Sequence, residues 1–119
     1  MHATPITVDH ADPLAQLPTL AEIEAAAQEV YRAFQPTPQY AWPLLAQRLG
    51  TQVWVKHENH TPVGAFKIRG GLTYFAQLAA QGQLPGEVVS ATRGNHGQSI
   101  GWAARAHGVR CTIVVPQGN

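Results

Sequence analysis

Cysteine is nearly missing. Cys111 is the only one in 119 residues, so no disulfide can link the chain to itself. Lying in an apolar run, it reads as a small buried hydrophobe rather than a redox centre. Charge is sparse as well: Asp, Glu, Lys and Arg make up 13% of the chain, and 8 Lys+Arg against 7 Asp+Glu leave a formal net charge of +1. Such a balance carries no footprint for nucleic acid or for an acidic membrane surface. No apolar run is long enough to cross a bilayer. Residues 1–18 lack the basic stretch followed by an apolar one that marks a signal peptide. The six histidines are scattered without the spacing of a structural zinc site. What remains is the expectation of a cytoplasmic globular protein, and a hydrophobic content of 45% supplies a core for it.

Residues 1–17 read as a loose leader. Thr19, with Glu22 three positions on, has the pattern of a capping box. Leu20, Ile23, Ala27, Val30, Tyr31 and Phe34 follow at helical spacing, which predicts a helix over 19–34 that Pro36 and Pro38 end. A shorter helix is expected from Ala41 to Leu49, with Pro43 in its first turn and Gly50 closing it. The chain then predicts a strand at 51–57, a loop at 58–64, a helix at 65–81 and a strand at 87–91. A turn at 92–95, a helix at 96–107 and a strand at 110–115 complete the pattern. The last strand is apolar and β-branched, hence expected to be buried on both faces. The order αα-βα-βα-β implies an α/β fold with a parallel sheet covered by helices.

Ligands of open α/β sheets sit beyond the carboxyl ends of strands. Two glycine-bearing segments leave such ends, and each opens a helix. In the first, Thr61 to Gly71, Lys67 falls in the first turn of its helix. The positive end of the helix dipole and the neighbouring Phe66 both disfavour an ammonium there. An imine-forming lysine must be neutral to attack a carbonyl. Taken singly, though, a lysine in this place reads as a solvated side chain. Gly70 and Gly71, mid-helix, each cost about 1 kcal/mol relative to alanine; close approach of a neighbouring helix is their plainest explanation. The second segment, Ser90 to Gln98, is a strand, a tight turn and a helix N-terminus. Free backbone N–H groups and the dipole make such a turn suited to a carboxylate or phosphate. An ordinary loop with Asn95 as helix cap is an equally good reading of this segment alone.

Taken together, the two segments are far more specific. Lys56-His57-Glu58 is followed by Pro62-Val63-Gly64-Ala65-Phe66-Lys67-Ile68-Arg69-Gly70, and then by Thr92-Arg93-Gly94-Asn95-His96-Gly97-Gln98. This resembles the fold-type II pyridoxal-phosphate (PLP) enzymes, in particular the threonine/serine dehydratase branch. The family's runs are Lys-x-Glu, Pro-Thr-Gly-Ser-Phe-Lys-x-Arg-Gly and Ser-x-Gly-Asn-His-Gly-Gln. The likeness covers residues 36–119 well and the first 35 weakly.

The resemblance implies a two-domain parallel α/β sandwich with PLP between the domains. Residues 18–83 would belong to the large domain with its cofactor-lysine helix, and 86–119 would begin a smaller one. It implies that Lys67 is the Schiff-base lysine and that Phe66 packs against the cofactor ring. Asn95 would hydrogen-bond the ring hydroxyl, and Thr92, Gly94, Asn95 and His96 would hold the substrate carboxylate. The activity implied is β-elimination from a hydroxy amino acid, L-threonine or L-serine, giving a 2-oxo acid and ammonia. A threo-3-hydroxyaspartate dehydratase, a serine racemase-like enzyme and an inactive fold fragment are the alternatives. The expected partners are a small amino-acid substrate and copies of the full-length chain in a homo-oligomer. Three departures stand out: Ala65 for serine, Val63 for threonine, and Arg93 where racemases carry a neutral acid/base serine. A guanidinium cannot take that role at ordinary pH. The family's glycine-rich phosphate loop and its pyridine-nitrogen partner are not in the chain, so a fragment of a longer enzyme is expected.

Overall fold

The computed structural model describes residues 17–118. Helix α1, Leu20–Ala33, begins at the capping box the sequence predicts. The Thr19 backbone N–H donates to Glu22 Oε2 at 2.7 Å, and the Glu22 N–H donates to Thr19 Oγ1 at 3.3 Å. Such a cap contributes about 1 kcal/mol. Helix α2, Pro43–Leu49, starts on its proline and stops at Gly50, whose φ of 68° is the left-handed closure expected there. The leader at 1–17 lies, but for Leu17, outside the described residues.

Between these helices the structure departs from the expectation. Gln39–Ala41 form a short strand, β1, which pairs antiparallel with β2, Trp54–Lys56. Pro38 and Pro43 bracket β1. Proline biases the residue before it toward extended backbone; here those residues are Thr37 and Trp42, which flank β1. The first predicted strand therefore belongs to a two-stranded ribbon and not to the parallel sheet. Beyond the pairs themselves, the His57 N–H donates to Pro38 O at 2.9 Å and the Trp42 N–H to Val53 O at 3.1 Å, which extends the ribbon at both ends. A single 3₁₀ turn, Glu58–His60, leads away from it.

The remaining elements follow the predicted alternation. Helix α3 is Lys67–Ala80, β3 is Glu87–Ala91, α4 is Asn95–Ala106 and β4 is Arg110–Val114. Strands β3 and β4 pair in parallel with Glu87 opposite Arg110 and Ala91 opposite Val114. The core lies where α3 and α4 meet this sheet: Phe75, Ala103, Ala104 and Val109, with Val88, Ile100 and half-buried Cys111 against them. Phe75 is fully buried, and truncating such a side chain to alanine costs about 3–5 kcal/mol. The domain division expected at 83–86 falls in the α3–β3 loop, and α3 packs on α4 across it.

Strand β4 is not buried on both faces. Cys111 and Ile113 are half-buried, while Arg110, Thr112 and Val114 are exposed. The reason is layer count: α4 covers one face, and no second helix covers the other among the described residues.

Candidate active site

Lys67 is the first residue of α3, with Phe66 as N-cap. Three sets of contacts hold it there. Thr61, buried, donates its Oγ1 hydrogen to Ala65 O at 2.8 Å and accepts the Ala65 N–H at 2.9 Å, which closes the loop immediately before the lysine. Two residues past Lys67, Arg69 makes a bidentate pair with Glu58: Nε to Oε2 at 2.7 Å and Nη2 to Oε1 at 2.9 Å. Thr37 donates to the same Glu58 Oε1 at 2.6 Å. The Arg69 hydrogen bonds, helped by Thr37, lower the Glu58 carboxyl to about 2. On the other side, Ser99 of α4 donates its hydroxyl to Lys67 O at 2.6 Å.

The glycines sort into two kinds. A Cβ on Gly71 would collide with Ser99 Oγ and lie 3.0 Å from Ser99 O, so this glycine lets α4 cross α3 closely, the plain explanation the sequence suggests. A Cβ on Gly70 would meet nothing within 4 Å. A Cβ on Gly97 would lie 2.6 Å from Thr92 Cγ2 and 2.9 Å from Ile113 Cγ2; Gly97 thus serves helix-on-strand packing rather than ligand approach.

Lys67 and His96 line one cleft of about 480 Å³ between α3, β3 and the start of α4, together with Gly70, Gly71, Val88 and Ser90. Thr92 and Gly94 line a neighbouring depression of about 330 Å³ on the β4 side. Phe66 and Asn95 fall outside both linings. Phe66 is 58% exposed, its ring centroid 5.3 Å from Lys67 Nζ. The shielding of the amine expected from Phe66 is therefore not present among the described residues, because both side chains face solvent. Asn95 is the first helical residue of α4 and Gly94 its N-cap, with no side-chain cap; Thr92 Oγ1 accepts the Gly94 N–H at 3.2 Å. The asparagine cap is thus replaced by a glycine one. Arg93 is exposed and forms no ion pair among the described residues.

These residues fit a group that carries an aldehyde and an anion. An amine stands on the wall of a cleft within the size range of small-ligand sites, and the wall is open over Gly70. His96, at the start of α4, lines the same cleft, its backbone N–H and that of Asn95 without a backbone partner among the described residues. Among the described residues no cluster of three or more His, Cys, Asp or Glu could hold a metal ion, and no helix is long and apolar enough to cross a membrane.

A parallel α/β unit thus carries a lysine at one helix start and a glycine-bearing turn at the next. The chain belongs to the pyridoxal-phosphate dependent enzyme family, which matches residues 30–119. It is 39% identical over 102 residues to the biosynthetic L-threonine dehydratase of Pasteurella multocida, covering 84% of this chain and 20% of that protein. To the L-threo-3-hydroxyaspartate ammonia-lyase of Saccharomyces cerevisiae it is 34% identical over 101 residues, 85% of this chain and 31% of that one. The crystal structure of a pyridoxal 5'-phosphate-dependent aspartate racemase superposes with a TM-score of 0.75 at 31% identity, over 84% of this chain and 32% of the racemase. The chain thus spans between a fifth and a third of the length of these proteins.

Proposed function

We propose that this chain supplies the lysine and the carboxylate-binding turn of a PLP-dependent ammonia-lyase that converts L-threonine or L-serine to a 2-oxo acid and ammonia. The observation that carries the reading is the shared cleft of Lys67 and His96, in a chain akin to a threonine dehydratase. When bound, PLP supplies an electron sink for the charge left at the substrate Cα. Lys67 Nζ holds the cofactor and, once released, takes the Cα proton. The N–H groups of Asn95 and His96, which have no backbone partner among the described residues, receive the substrate carboxylate, while those of Thr92 and Gly94 are taken by Val114 O and Thr92 Oγ1. The family pattern gives Asn95 the cofactor hydroxyl and Phe66 a place beside its ring, although both lie outside the cleft lining. Loss of the β-hydroxyl as water, followed by hydrolysis, releases the oxo acid and ammonia. The same reading takes the enzyme as a cytoplasmic homo-oligomer with a small amino acid as its substrate.

Borohydride reduction of the intact holoenzyme and peptide mapping test it. The reduced pyridoxyl label belongs on Lys67, and Lys67→Ala should abolish it and lower kcat by roughly 10²–10⁴-fold. A label on Lys56, the only other lysine in the chain, or on a lysine elsewhere, overturns the assignment.

A second reading, dehydration of 3-hydroxyaspartate, is favoured by Arg93, an exposed guanidinium in the carboxylate-binding turn that forms no ion pair among the described residues. The yeast ammonia-lyase and the aspartate racemase, both named for dicarboxylic amino acids, point the same way. On this reading Arg93→Ser lowers kcat/KM for 3-hydroxyaspartate by roughly 10- to 150-fold, the worth of a charged hydrogen bond, and spares threonine. Equal small losses on both substrates return the assignment to threonine and serine.

A further inference from the structure

We infer that Ser99 is a positioning residue for Lys67: its hydroxyl fixes the first carbonyl of α3 and so sets the lysine in register with the N-terminal end of α4. The inference rests on the reading of Lys67 given above. Ser99 is 1% exposed, and its Oγ donates to Lys67 O at 2.6 Å across 32 residues of sequence. A serine inside a helix ordinarily bonds back to a carbonyl of its own helix one turn earlier, or faces water. Ser99 does neither and reaches across to the adjoining helix. It is the one hydrogen bond joining α3 and α4 among the described residues.

The fit is built from both sides. Gly71, one turn along α3 from Lys67, leaves the space the hydroxyl occupies; a Cβ there would collide with Ser99 Oγ. The Lys67 carbonyl already faces the N–H four residues on within α3, so it needs no second donor to be satisfied. The buried Ser99 hydroxyl, by contrast, needs an acceptor. Ser99 lies one helical turn beyond Asn95 and three residues beyond His96. One contact therefore ties the backbone that carries the amine to the helix whose start faces it across the cleft. With the contact in place, the Lys67 and His96 walls of the cleft move as one body; without it, packing alone relates them. Productive geometry in a site of this kind is sensitive to displacements of about 1 Å.

The test uses the intact holoenzyme with Ser99→Ala and Ser99→Cys. Alanine removes the donor, while cysteine keeps a side chain of comparable size but is a weak donor. Both variants are expected to keep the wild-type far-ultraviolet spectrum and the borohydride label on Lys67. Both should lose about 10-fold in kcat at saturating cofactor, with KM changed by less than about twofold. The circular dichroism of the bound cofactor's absorption band, which reports how the ring is held without any turnover, should diminish in parallel. Unchanged kcat and an unchanged band in both variants overturn the inference. A wild-type-like cysteine variant beside an impaired alanine variant also overturns it, because Ser99 then only fills space. If Ser99→Ala does not fold, the cysteine variant alone decides. A label away from Lys67 in the wild-type enzyme is a different result: it refutes the underlying assignment, and it is seen before any Ser99 variant is made.

Discussion

Glu58 and Arg69 anchor the start of α3 to the β1–β2 ribbon, and their pairing makes part of the fold's stability pH-dependent. Glu58 accepts two hydrogen bonds from Arg69 and one from Thr37, which lower its carboxyl to about 2. In the unfolded chain a glutamate titrates near about 4.3. The folded value being the lower one, the contribution is complete above the unfolded value and is lost as pH falls toward the folded one. The pair is part-open to water, with side chains 25% and 23% exposed, so its worth is about 1 kcal/mol. Urea unfolding of the intact enzyme from about pH 5 to about pH 2 should therefore lose less stability in Glu58→Gln than in wild type. Identical acid slopes for the two proteins would show that the pair does not carry this stability. Lys56-x-Glu58 and Arg69 were visible in the sequence as parts of a family pattern, but their mutual contact was not. Eleven residues and a 3₁₀ turn separate the partners, and no periodicity relates them. Thr61 and Ser99 were hidden for a further reason: each bonds a backbone atom, and a backbone acceptor leaves no mark in a sequence.

Among the secondary-structure elements, those with strong local signals were legible. The capping box placed α1, Pro43 and Gly50 bounded α2, and Gly82 and Gly108 follow α3 and α4 with left-handed φ values of 65° and 68°. Strands β3 and β4 were readable from short β-branched runs between glycines. What failed was pairing. Strand β1 has three residues, all exposed, too few to show alternation, and its partner β2 looked like one more strand of a parallel sheet. The antiparallel ribbon is held by the pairing of β1 with β2 and by the main-chain bonds His57 to Pro38 and Trp42 to Val53, both long in sequence. The same limit applies to the site. Lys67 and His96 were each legible from a linear motif at a helix start. That they line one cleft while Thr92 and Gly94 line another depends on how α4 crosses α3, which the Gly71–Ser99 contact sets.

At the scale of the molecule, one face of the β3–β4 sheet is uncovered among the described residues. Parallel sheets normally carry helices on both faces; here α4 packs on one, and the other shows Val89 at 67% and Val114 at 52% exposed, with Val115 at 50% just beyond. Charge is confined to one end of that face, where Arg110 pairs with Glu87 at 3.0 Å. The apolar end has no such guard, and each strand of a two-stranded sheet has one edge of unpaired backbone groups. An exposed apolar face beside open strand edges invites association with another chain. These 119 residues expressed by themselves should therefore self-associate and bind a dye that fluoresces on apolar surface. Sedimentation velocity over a dilution series is the direct measurement, with mass falling toward the monomer as the protein is diluted. Val89→Lys combined with Val114→Lys should restore the monomer and remove the dye signal, because lysines on that face oppose association. Neither side chain belongs to the Phe75 core, so unfolding stability should stay within about 0.5 kcal/mol. A monomeric wild-type chain that binds no dye at any dilution would mean that this face is satisfied in a way the β3–β4 geometry does not reveal. Association that persists in the double lysine variant would move the sticky surface elsewhere, with the exposed Trp54 and Leu44 near the β1–β2 ribbon next to be changed.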